Sequence, residues 1–548
     1  MKSISFRHLW YFAAVWLLSL LLHWPARKAG FISDFLGWQK HYRDDPFTDF
    51  LHSFGYHGHQ QVLQFINAAI YRVFGVPDNA WYFIFSTLHA LNTYLLYLFL
   101  LRIGRLWEIR HNNWIAAFGA AFFLLSPYHP EVTVWRVCLH YLISAACLLG
   151  AMLLTVEYLE GGRRRSLFTA HLLMAINLFT LELALVIPLL THALCIAWWT
   201  IRPTKISLQS RPFPWAHLFR NMTLPQAGLY AAYFILNKLT LGGWVGHYGE
   251  ERHLQIDSMG FVANPMKYLF KYPMFVRHWP HQLKASFFEA LNQPGWLILL
   301  YTLLLAGTAV VIFFRERISQ RIHLFVFLLW CGLVAALPVA SLHFEWTLFN
   351  ENDRYGYLTA LFALPALAIL LSFLPLLEKY IPAVLFVLFS AYLQFQTIGW
   401  WAQMETVYRK LLDEYQWQDK KEVFVLSLAD NYRGIWMYRI YTPESSIADA
   451  MDLVKDRKLT GQTLHEVAFY NMNTLSDGIT ARREANGVIR VEFEQWGNWW
   501  WHAGLGARDY ETDQYKVEFK GKWYELTLKG EHPDAVFIYQ SGDSWKVL

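Results

Sequence analysis

Long apolar stretches recur throughout the first 404 residues of the sequence. A helix needs about 20 apolar residues to cross the roughly 30 Å hydrocarbon core of a bilayer. The first stretch, Leu9–Trp24, lacks a small-residue cleavage site, so we expect a retained anchor rather than a removed signal peptide. The pattern predicts about 11 transmembrane helices, near residues 9–25, 81–101, 114–128, 136–157, 167–181, 183–201, 226–241, 295–314, 322–341, 356–376 and 381–402.

The pattern changes at about residue 405, where apolar and polar residues begin to alternate. Ile489–Phe493 and Tyr515–Phe519 have the period of two that is typical of strands with one buried face. Tyr524–Leu528 and Ala535–Tyr539 suggest further hairpin strands, and Val423–Leu428 suggests a strand that ends in a turn. We therefore predict an α-helical polytopic membrane domain over 1–404 and a C-terminal soluble α/β or β-rich domain over 405–548.

Two connections between predicted spans are long, at about 26–80 and 242–294. In the first, apolar residues recur at helical spacing over Val62–Phe74, which predicts an amphipathic helix lying on the membrane surface. The second is rich in Trp, Tyr, His and Pro, as expected of a segment in the interfacial layer of a bilayer.

Composition agrees with a membrane protein and excludes other classes. Hydrophobic residues make up 55% of the chain and charged residues 16%, against roughly 25% charged in soluble domains. The net charge of +5 is small, and the basic residues are scattered, so nucleic acid is not an expected partner. The four cysteines all lie in apolar segments without a CxxC pattern, so neither a disulfide framework nor a zinc site is indicated.

The distribution of basic residues predicts the orientation. With a cytoplasmic N-terminus, the basic clusters fall in the inner loops, as the positive-inside rule requires. These clusters are Arg102, Arg105 and Arg110; Arg163, Arg164 and Arg165; Arg202, Lys205, Arg211 and Arg220; and Arg315, Arg317 and Arg321. An odd number of spans then places the C-terminal domain outside the cell, and we expect a multi-pass protein of the bacterial inner (plasma) membrane.

Acidic residues are rare among the predicted spans and gather at one side. Fewer than half of the 42 Asp and Glu residues lie in the first 404 positions. Asp34, Glu131 and Glu182, together with Glu351 and Asp353, lie near the outer ends of separate spans. Ionisable residues at membrane depth are often functional. The hydrophobic sequence around Asp34 is suited to a general base.

Each of these residues also has a purely structural explanation. Glu131 and Glu182 lie near helix starts, where a negative charge complements the helix dipole. Glu351, Asp353 and Arg354 can form an ordinary exposed ion-pair cluster. We expect Asp44, Asp45 and Asp49 to be solvated loop or capping residues, and His41, His52, His57 and His59 to be interfacial packing rather than a metal site, because their spacing is irregular.

Four blocks carry a resemblance to a known family. They are Asp34 with the later helix that ends Tyr71-Arg72-Val73-Phe74-Gly75; His129-Pro130-Glu131 through Trp135 to Leu142; Asn177–Leu190 with Glu182; and Asp353-Arg354-Tyr355-Gly356-Tyr357-Leu358. In this order they resemble membrane glycosyltransferases of the GT-C superfamily. The likeness is to bacterial relatives of protein O-mannosyltransferases and of transmembrane mannosyltransferases that carry tetratricopeptide repeats.

The resemblance implies an inverting glycosyltransferase that uses a polyprenyl-phosphate-linked sugar as donor and a hydroxyl on protein, lipid or glycan as acceptor. It implies Asp34 as the catalytic base, with Glu131 and Glu182 orienting the acceptor or a metal. The family does not uniformly require a divalent metal, and the chain has no dedicated metal motif. Arg354 would bind the donor phosphate, with Arg136, His140 and Tyr355 as further candidates. His57, His59, Glu351 and Asp353 complete the candidate site.

Departures from the family pattern leave other functions open. Leu181 replaces the usual lysine, Tyr56-His57-Gly58-His59 replaces a Tyr-Arg-Pro sequence, and Leu139 or His140 replaces an arginine. These changes affect the expected contacts with the donor phosphate, so a non-catalytic envelope assembly or sensor protein is one alternative. A membrane transporter is another, although the acidic residues lie at helix ends rather than near the bilayer midplane.

Overall fold

The computed structural model describes residues 6–51, 59–76, 79–180, 182–201, 215–244, 258–340, 353–437, 446–495, 497, 499–500 and 508–548. The chain up to residue 414 is helical, and the part from residue 422 onward is rich in β-strands. The helices are α1 (Phe6–His23), α2 (Asp34–Asp44), α3 (Gln61–Phe74), α4 (Asn79–Leu106), α5 (Asn112–Leu124), α6 (Pro130–Val134), α7 (Leu139–Gly161), α8 (Arg164–Leu178), α9 (Ile187–Ile201), α10 (Trp215–Leu218), α11 (Leu224–Leu241), α12 (Ser258–Met274), α13 (His281–Asn292), α14 (Pro294–Phe313), α15 (Gln320–Ala336), α16 (Tyr357–Leu371), α17 (Leu376–Glu414) and α18 (Ser446–Lys455).

Each predicted span overlaps an α-helix in the described part of the chain. A continuous apolar run can satisfy its backbone polar groups in a membrane by forming a helix. Within the described part of the chain, seven helices are long and apolar enough to cross a membrane. They cover Leu9–Ala26, Asn79–Leu106, Arg136–Gly161, Pro294–Phe313, Gln320–Val339, Asp353–Leu371 and Leu377–Glu414. Two shorter apolar helices cover Asn112–Leu124 and Ile187–Trp199. The architecture is that of a membrane protein.

The two long connections contain regular structure. The first contains α2 and α3, so the amphipathic helix predicted over Val62–Phe74 is confirmed. The second contains α12 and α13, with Pro265 and Pro273 inside α12. In the helical core, α4 packs against α1, α5 and α7, while α16 packs against α5, α12 and α15.

The C-terminal part, residues 422–548, forms two sheets, and we name it the β-domain. Its strands are β1 (Glu422–Tyr432), β2 (Ile435–Trp436), β3 (Thr463–Met472), β4 (Ile479–Arg483), β5 (Ile489–Phe493), β6 (Trp499–Trp500), β7 (Tyr510–Glu511), β8 (Tyr515–Phe519), β9 (Trp523–Leu528), β10 (Val536–Ser541) and β11 (Ser544–Val547). One sheet has the order β11-β10-β1-β3-β6, with β2 paired to β1, and the other has the order β4-β5-β9-β8-β7.

The first sheet is mixed. β1 pairs in parallel with both β10 and β3, and α18 lies in the crossover between β1 and β3. Every residue of β1 after Glu422 is buried, as expected of a central parallel strand covered on both faces. The second sheet is wholly antiparallel. The strands predicted at Ile489–Phe493, Tyr515–Phe519 and Tyr524–Leu528 all lie in it.

Helix α17 joins the two parts of the molecule. At 1.5 Å per residue its 39 residues extend about 58 Å, roughly twice the thickness of a bilayer core. It runs to Glu414, beyond the domain boundary expected at residue 404. The indole Nε1 of Trp545 in β11 donates a hydrogen bond to the Leu411 carbonyl at 2.7 Å. The C-terminal turns of this helix therefore form part of the support of the β-domain.

Candidate active site

A cavity of about 170 Å³ lies where α2, α3 and the start of α7 meet the turn after α15 and the turn before α16. Four of the predicted site residues line it: Asp34, His140, Arg354 and Tyr355. They come from three segments that are far apart in the sequence. The helical packing therefore brings a carboxylate, an imidazole, a guanidinium and a phenol to one hollow.

Asp34 is the first residue of α2 and is half-buried. A negative charge at a helix N-terminus is favoured by the helix dipole. Ser33, immediately before it, has a φ of 53°, and its hydroxyl donates to Asp34 Oδ1 at 3.4 Å. Such a backbone conformation persists in a non-glycine residue only when its surroundings hold it. The carboxylate therefore has a defined position at the cavity wall.

Gly30 allows the segment before Asp34 to approach the end of α6. Its φ is 93°, and a Cβ at this position would lie 2.0 Å from the carbonyl oxygen of Val134. The Gly30 carbonyl accepts a hydrogen bond from the backbone N–H of Arg136 at 3.2 Å. Only glycine combines this conformation with this contact.

Arg136 lies behind this segment rather than in the cavity wall. Its side chain is 1% exposed, and its Nη2 donates to the Arg27 carbonyl at 3.1 Å. Its guanidinium lies 4.9 Å from the centre of the Phe85 ring. Arg136 was predicted to bind the donor phosphate. In the structure it instead supports the segment that leads to Asp34.

Arg354 reaches the cavity from the short turn Asp353–Gly356 that precedes α16. Its backbone N–H donates to Glu131 Oε2 at 2.7 Å, and its guanidinium Nη1 donates to Glu131 Oε1. Its Nη2 donates to the Tyr355 hydroxyl at 3.1 Å. A guanidinium has five N–H donors, so these two side-chain contacts leave others to face a ligand.

Glu131 and Asp353 are buried behind Arg354. Glu131 lies in the first turn of α6 with its side chain 3% exposed, and its contacts go to Arg354. The Asp353 carboxylate pairs with Lys271 at 2.6 Å and with Arg277. Arg277 also donates to the Pro127 carbonyl at 2.8 Å. These two acidic residues therefore hold the turn that carries Arg354, and neither lines the cavity.

Aromatic rings and amides form most of the remaining cavity wall. The rings belong to Phe35, Trp38, Tyr42, Trp135 and Tyr141, and the amides to Gln60, Gln64 and Asn67. The Tyr42 hydroxyl donates to Gln64 Oε1 at 2.7 Å. Flat rings beside hydrogen-bonding amides suit a ligand with apolar faces and many hydroxyl groups, such as a sugar.

Gln64 and Asn67 come from the polar side of α3 and Gln60 immediately precedes that helix, a face that sequence reasoning did not consider. Gln64 and Asn67 are 2% and 3% exposed, whereas Val73 of the predicted apolar face is 71% exposed. The spacing 60, 64, 67 places the three amides on one helix face. That regular spacing is the signal from which this part of the wall could have been inferred.

The other predicted site residues lie elsewhere. Glu182 opens the short turn Glu182–Val186, whose Leu183 lines the cavity, but the Glu182 side chain lies outside the described residues, as do His57 and Glu351. His59 Nε2 lies 3.0 Å from the Thr240 hydroxyl, and its Nδ1 lies 3.0 Å from the Gln61 amide nitrogen. Burial lowers the pKa of His59, which disfavours a cationic role for it.

A metal ion has no ready-made site in the part of the chain that the structure describes. Within those residues no group of three or more His, Cys, Asp or Glu side chains has a metal-binding arrangement.

No known family model matches the sequence, and no curated protein matches it. The cavity offers a carboxylate that can accept a proton and a cation that can bind an anionic leaving group.

Proposed function

We propose that this protein is an inverting glycosyltransferase of the GT-C type, which moves a sugar from a polyprenyl-phosphate donor to a hydroxyl acceptor. One observation carries the proposal: Asp34 and Arg354, from opposite ends of the helical region, line a single cavity of about 170 Å³ with aromatic rings and amides. The family resemblance of the same residues supports it. All eleven predicted spans would then cross the membrane, with the cavity at the outer face of a bacterial plasma membrane.

The proposed reaction needs one base and one cation. The Asp34 carboxylate takes the proton of the acceptor hydroxyl, and the acceptor oxygen forms a bond to the anomeric carbon. The bond from that carbon to the phosphate oxygen breaks, and the electron pair leaves with the polyprenyl phosphate. A single displacement inverts the anomeric configuration. Arg354 stabilises the negative charge that grows on the leaving phosphate.

An apolar groove supports a donor with a long hydrocarbon chain. The groove, of about 410 Å³, lies between α12, α14, α15 and α16 and includes Leu329 and Ala363. Each of these residues is nine positions from a cavity-lining residue, Pro338 after α15 or Arg354 before α16. The groove therefore lies roughly 13 Å from the cavity along these two helices. A prenyl chain whose phosphate contacts Arg354 can extend along it.

The test is consumption of the donor. Purified protein in lipid nanodiscs is incubated with a radiolabelled polyprenyl-phosphate sugar and a mixture of acceptors, and the release of polyprenyl phosphate is followed. We expect Asp34→Asn to lower turnover by about 10²-fold to 10⁴-fold, the usual contribution of a general base. Asp49→Asn is the matched control, because Asp49 is an exposed aspartate in the same connection.

The outcomes separate the proposal from its alternatives. A transporter or an assembly protein would bind or move a ligand without consuming the donor. Wild-type protein that consumes none of the polyprenyl-phosphate sugars, or Asp34→Asn protein that turns over like the Asp49→Asn control, would contradict the proposal.

A further inference from the structure

Helix α2 presents two functional faces. Asp34, Trp38 and Tyr42, spaced four residues apart, line the cavity. Lys40 and Arg43, which are three residues apart on another face, pair with the β-domain. The same short helix thus carries the proposed base and a docking surface for a separate domain.

The docking contacts are charged and directional. Arg43 donates from Nη1 to Asp452 Oδ1 at 3.1 Å and from Nη2 to Asp452 Oδ2 at 2.9 Å. Lys40 Nζ lies 3.4 Å from Asp449 Oδ1. A two-pronged contact between guanidinium and carboxylate defines orientation as well as distance. Both acidic residues belong to α18, so α18 restricts the rotation of α2 about its own axis.

The β-domain also holds the backbone next to Asp34. The Ser33 N–H donates to the Met437 carbonyl at 3.2 Å, while the neighbouring Ile32 carbonyl accepts from the Trp135 indole at 3.3 Å. Ser33 is the residue with the unusual φ of 53°. The conformation of Ser33 is therefore held by a hydrogen bond to the β-domain on one side and by a hydrogen bond to the helical part of the protein at the neighbouring residue.

Helix α18 is itself attached firmly to the first sheet. Glu466 in β3 accepts hydrogen bonds at the helix start, from the Ser446 hydroxyl at 2.8 Å and from the Ile447 N–H at 3.0 Å. A carboxylate that accepts from the first N–H groups of a helix stabilises that helix end. A continuous set of contacts thus connects β3, α18, α2 and Asp34.

We propose that the β-domain positions Asp34 for the reaction, with Asp449 and Asp452 as positioning residues that act through Lys40 and Arg43 on α2. The inference rests on the proposed function for its catalytic consequence. Its structural part, that the β-domain controls the order of α2, stands independently of that function.

The experiment exchanges the charges of the ion pair between Arg43 and Asp452. The variants are Asp452→Arg, Arg43→Asp and the double variant that carries both changes, each in the full-length protein. Asp513→Arg, an exposed residue in the turn between β7 and β8, is the matched control for charge. Two quantities are measured: amide hydrogen exchange in peptides that cover α2, and kcat and KM for the polyprenyl-phosphate sugar.

We expect Asp452→Arg to speed exchange in α2 and to lower kcat about 10-fold to 100-fold, as a small misplacement of a reacting group does. The double variant should regain slow exchange and most of the activity, which a merely unfolded β-domain would not allow. Asp452→Asn, which keeps the shape of the side chain, provides a milder test if Asp452→Arg does not fold.

Unchanged exchange in α2 for both Asp452 variants would overturn the inference, as would a double variant no better than the worse single variant. If wild-type protein consumes no donor, the proposed function fails, and hydrogen exchange alone then decides whether the β-domain controls α2. The two failures are therefore distinguishable.

Discussion

Glu131 holds Arg354 with both of its carboxylate oxygens. Oε2 accepts from the Arg354 backbone N–H at 2.7 Å, and Oε1 accepts from its guanidinium. The Glu131 side chain is 3% exposed and that of Arg354 is 18% exposed. One carboxylate thus determines both the position of the turn and the direction of the side chain that reaches the cavity.

We predict that Glu131→Gln strongly destabilises the protein. The substitution leaves the Arg354 guanidinium largely buried without its counter-charge, and breaking a buried ion pair in this way costs roughly 3–5 kcal/mol. Thermal unfolding in detergent, followed by tryptophan fluorescence, should show a clearly lower Tm.

The matched variant carries Glu131→Gln and Arg354→Gln together. It removes both charges, so it should unfold at a higher temperature than Glu131→Gln alone, although the proposed contact with a donor phosphate would be lost. Additive losses in the double variant would mean that the two charges do not stabilise each other.

Gly30 provides a second prediction. We expect Gly30→Ala to destabilise the protein and to lower donor turnover, because the new Cβ would lie 2.0 Å from the Val134 carbonyl oxygen at a φ of 93°. Unfolding by heat and the donor-consumption assay measure the two effects. Gly37, in the interior of α2, is the control because a Cβ at this position would meet no atom within 4 Å. Gly37→Ala should stabilise by roughly 0.5–1 kcal/mol, since alanine favours a helix over glycine.

The helices could be predicted from the sequence because a membrane helix needs only a continuous apolar run. The end of α17 could not be predicted in this way. Four residues at helical spacing are buried there: Met404, Val407, Tyr408 and Leu411. Their polar neighbours give the sequence the pattern of a soluble domain. Helical periodicity, rather than mean hydropathy, carries the signal in such a segment.

We predict that Leu411→Ala loosens the joint between α17 and the β-domain. Leu411 is 0% exposed, and truncating a buried leucine costs about 2–5 kcal/mol. Limited proteolysis should release the β-domain more readily from the variant. Thr406→Ala, an exposed position on the same helix, is the control and should be cleaved at the wild-type rate. Equal cleavage of the two variants would show that this joint does not depend on the Leu411 side chain.

Asp34 could be selected as a site candidate because acidic residues are rare beside apolar spans, whereas Arg354 was selected through the family resemblance of its motif. Lys271 and Arg277, which bind Asp353, were missed, because a basic residue in a loop rich in aromatics gives no sign of its partner. Arg136 shows the converse: its position suggested a ligand-binding role, and the structure has it contacting backbone carbonyls. Which face of a short helix or turn is buried depends on tertiary packing, which a single sequence does not reveal.

The first sheet of the β-domain contains a carboxylate whose contribution to stability depends on pH. Glu422 at the start of β1 lies 2.9 Å from both His465 Nε2 and His532 Nδ1. Burial raises the pKa of Glu422, but the hydrogen bonds from the two histidines outweigh it, so the pKa lies below its ordinary value of 4.5. The contribution of Glu422 to stability is then present above pH 4.5 and is lost as the pH falls through its lower pKa in the folded protein.

We therefore expect Glu422→Gln to lower the Tm at neutral pH and to have progressively less effect below about pH 4.5, where the wild-type carboxylate takes up its proton. The comparison is the Tm difference between wild type and variant in a series of buffers. Glu531→Gln, at an exposed position beside His532, should leave the Tm unchanged at every pH. A Glu422→Gln difference that stays constant into acid would mean that the charge of this carboxylate does not stabilise the sheet.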